Sequence, residues 1–340
     1  MAVRKKVTLK DIAEHCGLAA TTVSRILRDK STYCSAAKID LVKRIASEWD
    51  YQPNIGYNIM TGRDTNIAAI IFSQPRITQD DLSHRFYMQL TGELDSRHFA
   101  SYTAIMDGDL DSQLRKIREL DERGVRYYIF IGSPAYYEEI FAFLERMKRY
   151  YAGYNCSVAP RRLMPDQAGM FFHFWCIAAC RGAKNYRIAV TQRYFDNSIL
   201  PRVPEMERYN FRKHLYPVQP LGVVSGNSRE RYFALGTQIM SELLDKHPEV
   251  DAVAFYTDFH VFGAEKVLKE LKKDRSVQLF GMGDAAASKF VDAAFVTADF
   301  DVENGVGMLL DQLETHEPWE YFLSGTVTSY NIQEENDEKG

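Results

Sequence analysis

The chain has 340 residues, 46% of them hydrophobic, and a formal net charge of −4. That leaves room for a small module plus a two-lobed globular body, and too little positive charge for the whole protein to act as a polycation. No stretch reaches the roughly 18 consecutive apolar residues of a membrane-spanning helix, and MAVRKK leads into no apolar run, so neither membrane association nor a secretory signal is expected.

The charge is unevenly placed. Residues 1–62 hold ten Lys or Arg against six Asp or Glu, a net +4, which leaves 32 against 40, a net −8, in the remainder. A basic head on an acidic body suits a protein that presents one end to phosphate. The five cysteines, Cys16, Cys34, Cys156, Cys176 and Cys180, are odd in number and scattered, which fits a reducing cytoplasm. Cys176 and Cys180 stand four apart, where two zinc ligands can sit on a helix. No second pair completes a site, so free thiols are expected and no metal or other cofactor.

Residues 1–6 form a short basic arm suited to phosphate. The stretch VTLKDIAEHCGLAATTVSRILR then holds two helical patterns around a tight turn. Leu9, Ile12 and Ala13 share one helix face, with Thr8 as N-cap and Asp11 in the first turn. Gly17 breaks the helix and Leu18 plugs the turn. The second pattern buries Val23, Ile26 and Leu27 and turns Ala20, Thr21, Ser24, Arg25 and Arg28 outward. A small, polar face with a basic end is what a helix needs to lie in the DNA major groove. Periodicity alone fits either such a helix-turn-helix or an ordinary helical hairpin. A third helix, SAAKIDLVKRIASEWDY, is capped by Ser35 and puts Ile39, Val42, Ile45, Ala46 and Trp49 inward. Pro53 and Asn54 punctuate its end, and IGYNIMTG is too short to be a stable helix alone in water.

From Asn66 onward, apolar strands alternate with amphipathic helices: IAAIIF, SYTAIM and RYYIFIG, then YRIAV, GVV, DAVAFY, VQLFGMG and AAFVTA, each but VQLFGMG followed by a helical pattern. This is the pattern of βαβ units and parallel sheets with helices on both faces. Residues 151–165 read as an irregular crossover and residues 327–332 as a last edge strand. Two such lobes make a cleft at strand C-terminal ends. Clusters such as RYYIF, KRYYAGY and FFHFW could stack on sugar rings, but inside strands and helices they read as core and dimer interface.

VTLKDIAEHCGLAATTVSRIL, the helix after it, and YQPN with the run into TGR resemble the N-terminal domain of the LacI/GalR (lactose-repressor) family of bacterial transcription regulators. The resemblance is close over Val7–Gly62 and follows element order beyond. It implies a small all-α helix-turn-helix headpiece (1–52), a hinge helix or linker (53–65), and an α/β two-lobed core resembling periplasmic sugar-binding proteins (66–340). It implies DNA contacts at Thr8, Ala20, Thr21, Thr22, Ser24, Arg25 and Asn54. It also implies an apolar wedge into the minor groove at Ile59 or Met60, Ile59 being preferred. Effector contacts fall on Phe86, Tyr87, Asp166, Arg193, Asp258, Asp284 and Phe300, with Asp166 open to the alternative of a helix N-cap.

Several positions depart from the family pattern. Ala20 and Thr21 replace larger specificity residues, and Thr257, Gly283 and Glu207 stand where an Asn, an acid and a sugar-gripping Arg are usual. The expected protein is a cytoplasmic, nucleoid-associated bacterial homodimer. It binds a near-palindromic operator in double-stranded DNA and represses a carbohydrate-utilisation operon under a small sugar-like effector. The alternatives are an effector-independent or non-sugar-responsive regulator of the same fold and an α/β enzyme. GxGxxG after a strand, GxxxxGK[ST], GxSxG and HExxH are all missing, so no enzyme is expected.

Overall fold

The computed structural model describes residues 7–27, 34–49, 51, 65–75, 77, 81–218, 228–271, 277–283, 288 and 292–331. The chain divides into two compact units, Met1–Thr65 and Asn66–Gly340. Asn54, Ile59, Met60, Asp284, Arg28 and the GVV stretch lie outside the described residues.

The first unit contains α1 (Leu9–Cys16), α2 (Ala20–Ile26) and α3 (Ala36–Glu48). Thr8 closes a reciprocal capping box at α1. Its backbone N–H donates to Asp11 Oδ2 at 2.7 Å, and its Oγ1 accepts from the Asp11 N–H at 3.3 Å. Two otherwise orphaned donors of the first turn are thereby satisfied. Gly17 ends α1 in the left-handed region, at φ 65°, which is why a glycine sits at the turn. Ser35 stands at the N-cap of α3 without a side-chain cap bond. Ile12, Ala13, Val23, Ile26, Val42 and Ile45 form the buried core, with Leu18, Ile39, Ala46 and Trp49 packed around it. A core this small makes a marginal module.

The second unit is built on two six-stranded sheets among the described residues. The first has β1 (Ile67–Phe72), β2 (Ala100–Ile105), β3 (Tyr127–Ile131), β4 (Tyr150–Tyr154) and β5 (Arg161–Pro165), with β11 (Trp319–Leu323) at one edge and β2 at the other. The second has β6 (Tyr186–Val190), β7 (Leu215–Pro217), β8 (Ala252–Phe255), β9 (Gln278–Met282), β10 (Phe295–Phe300) and β12 (Gly325–Tyr330). Pairings are parallel except for β12, which runs antiparallel to β10. β1, β3 and β8 are buried along their whole length, as strands covered on both faces must be.

The helices are α4 (Asp81–Ser96), α5 (Leu110–Glu122), α6 (Tyr137–Arg146), α7 (Gln167–Cys180), α8 (Arg208–Arg212), α9 (Ser228–Lys246), α10 (Asp258–Glu270) and α11 (Val302–Asp311). Between β6 and α8 the chain winds through a short α-turn, a π-turn at Phe195–Ile199 and two 3₁₀ turns. α9 and α10 pack backbone to backbone. A Cβ on Gly236 would lie 2.0 Å from the His260 carbonyl, and one on Gly263 the same distance from that of Phe233.

Two sequence expectations need correction. Residues 151–165 are not irregular: they contain most of β4 and all of β5, the tyrosines of KRYY forming the start of β4 rather than the end of α6. The helical period of PEMERYNFRKHL runs on through His214 and Leu215, but the helix stops at Arg212 and Leu215 opens β7. In both places aromatic β-formers outweigh an apparently continuous helical period.

Candidate functional site

In the head, α2 is pinned by Val23 and Ile26, which point into the core from one side of a two-turn helix. The opposite side carries Ala20, Thr21 and Arg25, all exposed, flanked by half-exposed Thr22 and Ser24. Lys10 and Glu14 pair with each other at 3.9 Å on α1, and Asp11 is engaged with Thr8. Arg25 makes no ion pair among the described residues. The result is a slim ridge with methyl, hydroxyl and guanidinium groups presented together, and no side chain longer than threonine near its start. Such a ridge can approach base edges closely, the guanidinium reaching a guanine or a phosphate.

In the body, the expected effector residues separate into two groups. Phe86 is completely buried and stacked on Tyr154, centroids 3.6 Å apart. Phe300 is 1% exposed and belongs to the same core. Asp258, also 1% exposed, accepts hydrogen bonds from Ser288 Oγ at 3.2 Å and Thr297 Oγ1 at 2.8 Å. These three side chains face protein in this structure. Apolar bulk and satisfied carboxylate bonds draw them inward.

The others remain accessible. Tyr87 is half-buried, its hydroxyl 3.1 Å from Thr103 Oγ1. Arg193 is exposed, just past the end of β6, with no partner among the described residues. Asp166 caps α7 through Gly169 N–H at 3.0 Å and is gripped by Arg202, whose Nη2 and Nε lie 2.8 and 3.1 Å from its two oxygens. The N-cap alternative for Asp166 is thus present, joined to an ion pair. The carboxylate holds the Arg202 guanidinium above its ordinary pKa, and the same guanidinium lies 4.2 Å from the Phe322 ring centroid.

Sequence reasoning missed a set of charged residues on α4. Arg85 donates to both oxygens of Asp299, at 2.6 and 3.1 Å, and to the Gly283 carbonyl at 3.2 Å. Asp81, one turn earlier, accepts from Arg229 of α9. The i, i+4 spacing of Asp81 and Arg85 shows that they share a face. Their partners stand 148 and 214 positions away in sequence, and no local pattern points to them. Among the described residues, no group of three His, Cys, Asp or Glu side chains could hold a metal ion, and no helix is long and apolar enough to cross a membrane.

A packed trihelical head with an exposed reading ridge, in one chain with a two-sheet α/β body, defines the class of two-part helix-turn-helix regulators. Residues 8–54 match the model of "Bacterial regulatory proteins, lacI family". The sucrose operon repressor of Pediococcus pentosaceus is 31% identical over 107 residues, an alignment spanning 31% of this chain and only 30% of that protein. The HTH-type transcriptional regulator TreR of Escherichia coli (strain K12) is 22% identical over 313 residues, 87% of this chain and 89% of that protein. The structure of the lac repressor dimer bound to operator and the anti-inducer ONPF shares the fold, with a TM-score of 0.61, 16% identity, and coverage of 96% of this chain and 98% of that one. The match to the lacI family of bacterial regulatory proteins covers the head, residues 8–54. These relatives are transcription regulators, not enzymes.

Proposed function

We propose that the protein is a sequence-specific DNA-binding transcription regulator, acting as a homodimer to repress a carbohydrate-utilisation operon. The observation that carries this reading is the exposed ridge of Ala20, Thr21, Ser24 and Arg25 on a helix whose other side is fully committed to the head's core. Two copies would set two such ridges about one duplex turn apart on a near-palindrome. Self-association is supported by the open edge of the first sheet, where Tyr102 and Ile105 of β2 and Met88 of α4 expose apolar surface. The body is the input module, and an effector would act by binding its two lobe arrangements with different affinity. A sugar effector is supported by the operon that names the Pediococcus relative.

A second reading, a regulator that needs no sugar, is favoured by the burial of Phe86, Asp258 and Phe300. Selection of bound fragments from genomic DNA, followed by gel shifts at low and high salt with competitor DNA, tests the DNA-binding reading. A regulator recovers a near-palindromic site, holds it against competitor and loses affinity steeply with salt. Salt-sensitive binding with no sequence preference would overturn it. Melting of the full chain against sugars, sugar phosphates and uronates then separates the two input readings, since a true ligand raises the midpoint in a dose-dependent way.

A further inference from the structure

The chain crosses between its two sheets after β5, returns after β10, and crosses again between Leu323 and Gly325. Lobes joined only by such crossings can hinge unless something else fixes them. Beside the buried apolar cluster that holds strands of both sheets, two charged links among the described residues run between the lobes, and both start on α4. Arg85 forms the bidentate pair with Asp299 at the end of β10 and also reaches the Gly283 carbonyl after β9. Asp81 is held by Arg229 on α9, which packs in the second lobe against α10. The directions are opposite: the first lobe gives an arginine in one pair and an aspartate in the other. A third arginine–aspartate pair, Arg202–Asp166, sits at the first crossing itself.

We propose that Arg85–Asp299 and Arg229–Asp81 form an interlobe latch that fixes the angle between the two lobes. Its regulatory meaning rests on the reading of the body as the input module. The Arg85 fork on both oxygens of Asp299 fixes angle as well as distance, Arg229 sets two nitrogens on one oxygen of Asp81, and the two pairs from one helix face oppose hinge rotation more than either alone. The Arg85 and Asp299 side chains keep 39% and 31% of their surface exposed, so water and salt reach the latch and it can open. Breaking the latch therefore frees the hinge, and an effector, where one acts, works against the latch or on top of it.

The test uses the full chain with a fluorophore pair introduced through non-natural amino acids at exposed Glu119 of the first lobe and Asp245 of the second. Without any ligand, the wild-type protein should show one short-distance population. Arg85→Gln and Arg229→Gln should each lower the closed-to-open ratio by about fivefold, and the double variant by their product. Arg85→Lys and Arg229→Lys, which keep the charge, should retain most of the short population, and high salt should open the wild type but leave the double Gln variant unmoved. Asp299→Asn supplies an isosteric check should either Gln variant melt early. Superposable distance distributions in the wild type and the double Gln variant, with unchanged melting, would overturn the latch. So would opening that salt does not reproduce. Operator binding is measured on the same variants, so failure of the latch is distinguishable from failure of the DNA-binding reading.

Discussion

The head and the body of this protein solve opposite problems. The head buries six residues drawn from fewer than forty positions, and its functional face is whatever that burial leaves outside. The body buries strands from both ends of a long chain in extended apolar clusters, and much of its polar machinery depends on partners far away in sequence. A local site survives wherever its own helix folds. A distributed site exists only when two lobes meet, and its residues can be drawn into the core or into each other.

The most severe way to press this contrast is Val23→Asp. An unpaired carboxylate in so small a core should unfold the head, at a cost of more than about 4 kcal/mol, and abolish DNA binding. Calorimetry of the same variant should show the body's transition unmoved. Gly236→Ala makes the reciprocal case. Its methyl would strike the His260 carbonyl, so separation of α9 and α10 should lower the stability of the body by about 3 kcal/mol while the head's helicity persists.

Acid should act on the body in a graded way. Burial pushes the His260 imidazole down to about 3 and also lowers that of His214. Each ring resists protonation in the folded chain more than in the unfolded one, where it takes a proton near 6.5, so the stability is complete above that pH and falls as pH drops from there toward the folded values. Below about pH 6.5 the slope from His260 approaches about 1.4 kcal/mol per pH unit, with His214 acting in the same direction, read by denaturant titrations from pH 7 to pH 5. His260→Gln should be less stable at neutral pH and show a shallower slope. The smallest effect is Thr8→Ala, which removes the capping box at α1 and should lower the head's own melting transition by about 1 kcal/mol.

This division also explains what could be read in the sequence. The capping pair Thr8–Asp11, the break at Gly17 and the inward Val23 and Ile26 follow from spacing within one or two turns, and the structure realises them locally. Strand alternation was equally legible in IAAIIF and YRIAV, because a strand buried on both faces is a short apolar run. The aromatic run into β4 was not, since tyrosines at a helix end and at a strand start look alike. Phe86, Asp258 and Phe300 were expected at a surface because the resemblance supplies position and not burial. Arg85 and Asp299 were invisible, since each is an ordinary surface charge until the lobes come together.

Arg25→Ala, measured by fluorescence anisotropy on the selected operator against a scrambled duplex across a salt series, tests the central claim most directly. Arg25 is exposed on α2 and holds nothing in the head together, so the variant should melt as the wild type does. Its operator affinity should fall by about 1–3 kcal/mol. A base contact would narrow the preference over the scrambled duplex, whereas a phosphate contact would flatten the salt slope by about one. Unchanged affinity, unchanged preference and an unchanged salt slope would contradict the assignment of this ridge as the DNA-reading surface.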